Sequence, residues 1–129
     1  MGQELLEISD SYYHRYRTRY FLATTSTGLQ VVRGSTSRSY SYACVATARS
    51  EWGWVTNLWS SRKDLAERNK RSYDKAYKDS GISFEVVETQ EITAKEARKI
   101  KKQIWKEIED YQSAKEQSQV TTSPIGENK

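Results

Sequence analysis

The chain has 129 residues, 36% of them hydrophobic and 29% charged, which suits one small domain with a modest core. Its formal net charge of +4 allows an anionic partner without requiring one. One cysteine and one histidine exclude an internal disulfide and a Cys/His zinc cluster, and no apolar run approaches the ~20 residues of a membrane span.

The first part of the chain is predicted to contain an N-terminal arm, a hairpin and a helix. Residues 1–18 are polar and rich in tyrosine and are predicted to form an N-terminal arm. β-Branched and aromatic residues dominate 19–33, and Thr-Gly at 27–28 supplies a turn, so this stretch is predicted to be a β-hairpin. Residues 39–51 offer alanine and valine side chains for packing and are predicted to be a helix.

Three of the four tryptophans lie in a short segment, residues 51–60. Gly53 within it indicates a bend. Tryptophans are usually found in the core, whereas large exposed aromatic patches tend to mark partner sites. Both interpretations remain open from the sequence.

The second part of the chain contains two predicted helices around a strand. Residues 62–79 form a basic helical pattern that ends before Gly81, a residue suited to the left-handed position after a helix. Residues 82–92 have the composition of a strand. Thr93 and Glu96 then form a capping box, and apolar residues at spacings of three and four predict the helix that follows.

The predicted element order is β-β-α-α-β-α, which indicates an α+β domain. We expect a small antiparallel sheet, made of the N-terminal hairpin and a third strand, with two to three helices packed on it. The core domain spans 19–113, after the arm at 1–18. Residues 114–129 are dominated by polar residues, and we expect them to be a disordered tail.

Several segments of this pattern resemble the core of GIY-YIG nucleases. The stretch Arg-Gly-Ser-Thr-Ser-Arg at 33–38 is similar to the one that closes the family's second motif and enters its first helix. A helix ending in Gly81, followed by the strand Phe-Glu-Val-Val at 84–87, matches the family's later half, and Ile104-Trp105 matches an aromatic position in its last helix. The resemblance covers about residues 19–110 and implies a nuclease-like fold.

The family's catalytic residues are replaced in this alignment. Its first motif falls on 19–21, and of its second motif only Gly34 survives. A count without gaps places Tyr42 where the family has a phosphate-stabilising arginine, although Arg38 and Arg49 are nearby. Lys102 stands where the family has a metal-binding glutamate. A lysine cannot coordinate Mg²⁺. The resemblance therefore implies a scaffold that binds without cleaving, unless Glu96 or Glu107 substitutes as a metal ligand in a shifted register.

The stretch 33–38 is the first candidate site. A glycine-containing turn before a helix exposes backbone N–H groups, and hydroxyl and guanidinium groups can complete an anion cradle. Small polar residues before a helix also serve ordinary capping, so both interpretations stand. A basic helix stripe and several tyrosines that could stack on bases add to the site. The predicted ligand-binding residues are Arg33, Gly34, Ser35, Thr36, Arg38, Tyr20, Tyr40, Tyr42, Arg98 and Lys102.

These observations predict a non-catalytic cytoplasmic protein that binds a phosphate-bearing ligand: a nucleotide, a cyclic nucleotide signal or a nucleic acid. No cofactor, metal or membrane partner is expected, and a homo-oligomer is possible. By analogy with small basic viral counter-defence proteins, it could act as a sponge for nucleotide signals. Two alternatives remain: a metal-dependent GIY-YIG-type endonuclease, and a protein-interaction or inhibitor module that uses Trp52, Trp54 and Trp59.

Overall fold

The computed structural model describes the backbone of residues 17–127 and the side chains of residues 17–117. Most of the predicted N-terminal arm, including Tyr12, Tyr13 and Tyr16, therefore lies outside the described residues. Along the described part the elements are β1 Arg19–Thr24, β2 Gln30–Ser35, β3 Tyr42–Ala46, β4 Asn57–Ser60, α1 Lys63–Ala76, a 3₁₀ turn Lys78–Ser80, β5 Phe84–Glu88, β6 Gln90–Ile92 and α2 Ala94–Glu127.

The six strands form two antiparallel sheets of three strands each. The first sheet has the order β2-β1-β6 and the second the order β4-β3-β5. Each sheet thus combines a pair of strands from the first half of the chain with one strand from the second half. Thr89 alone separates β5 from β6, so the chain passes from the second sheet to the first within one residue.

The two sheets pack face to face, and each helix covers one outer face. Between the sheets lie Phe21, Ala23 and Val31 of the first sheet and Ala43, Val45 and Trp59 of the second. Helix α2 packs on the outer face of the first sheet, where Ala97 contacts Leu22 and Ile92. On the outer face of the second sheet, Tyr73 and Tyr77 near the end of α1 pack on Phe84. The protein therefore has four layers, helix–sheet–sheet–helix.

Several features predicted from the sequence are confirmed. The chain has the α+β class, and the hairpin pairs with a third strand, β6, in one sheet with α2 packed on it. The hydroxyl of Thr93 accepts the backbone N–H of Glu96 at 3.1 Å, and the Glu96 carboxylate accepts the N–H of Thr93 at 3.3 Å, which is the predicted capping box. Gly81 has the left-handed conformation predicted after the helix, with φ of 71°.

The helix predicted at 39–51 is wrong, because β3 occupies its centre. Ala43, Cys44, Val45 and Ala46 are all buried, since β3 is the central strand of its sheet and has packing on both faces. Such a strand is apolar at every position, and its sequence lacks the alternation that identifies half-buried strands. The alanine content of this stretch therefore favoured a helix prediction, but tertiary packing outweighs this helix propensity.

Two predicted boundaries also differ from the structure. The strand expected over 82–92 is divided at Thr89 into β5 and β6, which belong to different sheets. Helix α2 continues beyond residue 114, where a disordered tail was expected. One reason lies in Lys115, whose ammonium donates to the carbonyl of Glu51 at 2.9 Å and fixes that turn of the helix to the body of the protein.

Asp74 connects α1 to the second sheet, and its charge should make folding sensitive to acid. Its carboxylate accepts hydrogen bonds from Lys70 Nζ at 2.5 Å and from the backbone N–H of Phe84 at 2.9 Å. The hydrogen bond from Lys70 is the largest effect and lowers the pKa of Asp74 below its ordinary 3.8. Burial opposes it, and the hydrogen bond from Phe84 and the charge of Lys70 add smaller effects in the lowering direction. A carboxyl with a lowered folded pKa stabilises the fold above its unfolded pKa, and this contribution disappears as pH falls through the folded value.

We therefore expect Asp74→Asn to be less stable than wild type at pH 7, and the difference in unfolding free energy to shrink below about pH 4. Asparagine keeps an acceptor for the Phe84 N–H but loses the charge, so the comparison isolates the titrating group. Urea unfolding of both proteins at neutral and acid pH measures the difference. A difference that is constant with pH would show that the charge of Asp74 does not contribute.

Candidate functional site

The predicted anion cradle at 33–38 does not have the geometry expected of it. Residues 33–35 end strand β2, and the chain continues through a loop into β3, so this stretch does not lead into a helix. The Arg33 guanidinium lies over the ring of Tyr40, 5.4 Å from its centroid. The Ser35 hydroxyl accepts the backbone N–H of Arg38 at 2.9 Å. The cradle depended on the helix at 39–51, and it is lost with that helix.

The three predicted tyrosines have different surroundings. The ring of Tyr20 lies across Gly34, and a Cβ added to Gly34 would be 3.2 Å from this ring. Lys101 Nζ lies over the same ring, 5.1 Å from its centroid. Tyr40 packs between Phe21 and Trp59. Tyr42 begins strand β3 and lines a cleft with two glutamates, Glu88 and Glu91.

The three tryptophans predicted to contact a partner have different surroundings. Trp59 is only 9% exposed and lies between the sheets, with its indole N–H donated to Asn57 Oδ1 at 2.7 Å. It is a core residue and has no surface to offer a partner. Trp52 and Trp54 are about half exposed, at 49% and 47%. They belong to the loop 49–54, which we call the tryptophan loop.

The tryptophan loop is docked along helix α2. Arg49 forms an ion pair with Glu107 at 3.1 Å, and Gln112 donates its side-chain amide to the carbonyl of Trp52 at 3.0 Å. Lys115 lies over the ring of Trp52, 4.7 Å from the centroid. These contacts fix the loop at several successive turns of the helix, so the position of Trp54 relative to α2 is well defined.

A groove opens between strand β2, the tryptophan loop and α2, and we call it the Trp54–Trp105 groove. Its volume is about 360 Å³, and its lining includes Gln30, Trp54, Asn57, Lys101, Ile104 and Trp105. The two indole rings meet edge to face, with centroids 5.4 Å apart and an angle of 80°. Trp105 is 53% exposed. A groove lined by apolar and aromatic side chains with a few polar groups is typical of small-ligand sites.

The polar groups of the Trp54–Trp105 groove differ in availability. Both ends of the Asn57 amide are engaged, one donating to the Val55 carbonyl at 2.8 Å and the other accepting from Trp59. The Gln30 amide forms no hydrogen bond within the described residues and can offer a donor and an acceptor to a ligand. Lys101 adds a positive charge at the groove wall.

Positive charge is concentrated on the first half of α2, beside this groove. Residues 94–106 contain six basic side chains and one carboxylate, an excess of five positive charges in a chain whose net charge is +4. The one carboxylate, Glu96, is held in the capping box. Within the described residues, Arg98 and Lys102 are exposed and form no ion pair. The six basic residues are Lys95, Arg98, Lys99, Lys101, Lys102 and Lys106.

A second cavity of comparable size has the opposite character. It measures about 370 Å³ and is lined by Tyr42, Glu88, Glu91 and neighbouring polar residues. Glu91 is paired with Arg19 at 2.7 Å, and the hydrogen bond from this guanidinium lowers the pKa of the carboxyl. Carboxylates in the lining make this cleft a poor site for phosphate. Among the residues with described side chains, no cluster of three or more His, Cys, Asp or Glu could hold a metal ion.

The structure therefore brings part of the predicted basic stripe close to part of the predicted tryptophan segment. The predicted cradle at 33–38 is not part of this site. Arg98 and Lys102 from the basic stripe lie on the same helix as Trp105, and Trp54 comes from the tryptophan loop. Gln30, Lys101 and Trp105 were not among the predicted site residues. The four-residue spacing of Lys101 and Trp105 on a predicted helix was the available signal.

Comparison with protein-family models, curated proteins and solved structures finds no significant similarity to any of them. Across the described residues, no helix combines the length and the apolar character needed to cross a membrane.

Proposed function

We propose that this protein binds a nucleotide unit, base and phosphate together, at the Trp54–Trp105 groove without cleaving it. The observation that carries the proposal is the position of a half-exposed indole pair directly beside the most basic stretch of the chain. A nucleotide has the same two parts, an aromatic base and a charged phosphate.

The groove offers a complementary group for each part of such a ligand. An indole face stacks on any nucleobase, and base–aromatic stacking contributes about 1–3 kcal/mol per base. The free amide of Gln30 can pair with polar atoms on the base edge. Lys101 at the wall, with Arg98 and Lys102 on the adjoining helix surface, supplies the charge that phosphate requires.

The carboxylates that a metal-dependent nuclease would need have other contacts. Glu96 accepts hydrogen bonds from Thr93 in the capping box, and Glu107 pairs with Arg49 to hold the tryptophan loop. Binding without hydrolysis therefore requires fewer rearrangements of the described side chains than catalysis does. The nuclease alternative predicts cleavage of plasmid DNA in the presence of Mg²⁺ or Mn²⁺.

The test is a titration that follows tryptophan fluorescence and melting temperature together. The probes are nucleoside monophosphates, a cyclic dinucleotide, a short oligothymidine, a duplex and inorganic phosphate. We expect at least one nucleotide-containing probe to quench fluorescence and raise the melting temperature, because a ligand at 100 times its Kd stabilises the folded state by about 2.7 kcal/mol. Inorganic phosphate alone should do neither.

Trp105→Ala should weaken this binding about 5- to 150-fold, the loss expected for one stacked base. The matched control is Trp52→Ala, which removes a similarly exposed tryptophan that does not line the groove and keeps the backbone carbonyl that accepts from Gln112. If no probe binds wild type, or if Trp52→Ala weakens binding as much as Trp105→Ala, the groove is not the nucleotide site.

A further inference from the structure

The basic surface beside the groove is longer than one nucleotide. Lys102 and Arg98 precede Trp105 by three and seven residues, so all three side chains lie on one side of α2. At 1.5 Å per residue, Arg98 is about 10 Å from Trp105 along the helix axis, and Lys95 is about 15 Å away. A single phosphate attached to a base in the groove can contact only the nearest of these charges.

The groove itself suits one unpaired base. Its volume of about 360 Å³ is at the lower end of small-ligand pockets, far below what a duplex would occupy. Stacking on Trp54 or Trp105 requires a base whose face is free, and bases within a duplex have both faces covered by their neighbours.

Resting on the proposed function, we propose that the ligand is single-stranded nucleic acid. One base enters the Trp54–Trp105 groove, and the phosphates of the adjoining nucleotides lie along α2 over Lys102, Arg98 and Lys95. The charge complementarity is direct, because these three cations are exposed and form no ion pair within the described residues. A duplex offers successive phosphates to α2 but no free base to the groove. A free nucleotide offers a base to the groove but no further phosphates to α2.

Salt dependence distinguishes this ligand from a small nucleotide. Each phosphate neutralised on a single strand contributes about −0.7 to the slope of log K against log salt concentration. Contacts with three phosphates predict a slope near −2 for wild type. Arg98→Gln with Lys102→Gln should reduce the magnitude of the slope by about 1.4, since glutamine keeps the helix and removes two charges.

The experiment measures fluorescence anisotropy of a labelled twelve-nucleotide oligothymidine between 50 and 300 mM NaCl. Thymidine monophosphate and a DNA hairpin without a single-stranded tail serve as competitors. We expect the oligothymidine to bind at least tenfold more tightly than either competitor. The matched control is Arg68→Gln with Arg71→Gln, which removes two exposed charges from α1 on the opposite side of the molecule. It should leave the slope unchanged.

Three results would overturn the inference while leaving the proposed function intact. One is thymidine monophosphate binding as tightly as the oligothymidine, which would identify a small nucleotide as the ligand. Another is an equal loss of slope in the α1 and α2 variants, which would assign the salt effect to overall charge. Tighter binding of the hairpin would also overturn it. If none of the three probes binds, the proposed function is wrong as well.

Discussion

Phe84→Ala should destabilise the protein by about 3–5 kcal/mol, a large share of the 5–15 kcal/mol that holds a domain of this size together. Phe84 is 2% exposed and lies at the start of β5, where its ring meets Tyr73 and Tyr77 at centroid distances of 5.1 and 5.2 Å. Tyr73 lies in the last turn of α1, and Tyr77 directly follows the helix. Truncation leaves a cavity under that helix, which its rigid neighbours fill only in part.

Urea unfolding followed by circular dichroism measures this loss. Leu58→Ala is the control, because Leu58 is a large apolar side chain of the same sheet but is 37% exposed, and we expect it to cost less than half as much. Similar losses for the two variants would mean that α1 does not depend on Phe84 for its attachment.

Gly53→Ala should cost about 2–4 kcal/mol and also weaken ligand binding. Gly53 has φ of 95°, a conformation that costs an L-residue roughly 1–2 kcal/mol. A Cβ there would also lie 3.1 Å from Cδ1 of Tyr111 on α2, a close contact that we expect to be relieved when the tryptophan loop and Tyr111 separate by a few tenths of an ångström. Because Trp54 is carried by this loop, the shift opens the groove between Trp54 and Trp105.

Gly28→Ala provides a matched control for the backbone strain. Gly28 has φ of 89°, but a Cβ there meets nothing within 4 Å. The Gly28 variant therefore has the backbone strain without the close contact to a neighbouring side chain. We expect it to lose about 1–2 kcal/mol of stability and to keep the oligothymidine affinity of wild type. Equal affinity in the Gly53 and Gly28 variants would show that the loop does not position the binding groove.

The parts of the fold that sequence reasoning predicted are those with local causes. The capping box at Thr93 and Glu96 joins residues three positions apart, and the turn at 27–28 joins adjacent strands. Such features depend on neighbours in sequence and can be identified without knowing the fold. The apolar positions of α2 that pack on the first sheet follow from helix periodicity in the same way.

The parts that were not predicted depend on contacts between distant residues. The run 43–46 is uniformly apolar because the first sheet covers one face of β3 and α1 covers the other, and most of these covering residues are distant in sequence. The division of 82–92 at Thr89 likewise reflects two separate pairings, of β5 with β3 and of β6 with β1.

The candidate site also depends on a contact between residues that are distant in sequence. Trp54 and Trp105 are 51 positions apart and meet only because the tryptophan loop docks on α2. The predicted cradle at 33–38, by contrast, was inferred from a local pattern whose supporting helix does not form. Local sequence signals identified the residue types that matter, and the topology determined which of them become neighbours.

The single-residue connection at Thr89 determines when the molecule can finish folding. Until β5 and β6 have been synthesised, each sheet has only two strands, and two-stranded pairs are marginal in water. Both sheets acquire their third strand from the same short segment, so the nascent chain has little stable structure before residue 92 is available. Pairings between such distant strands are slow to form, and we expect the domain to fold more slowly than helical proteins of similar size.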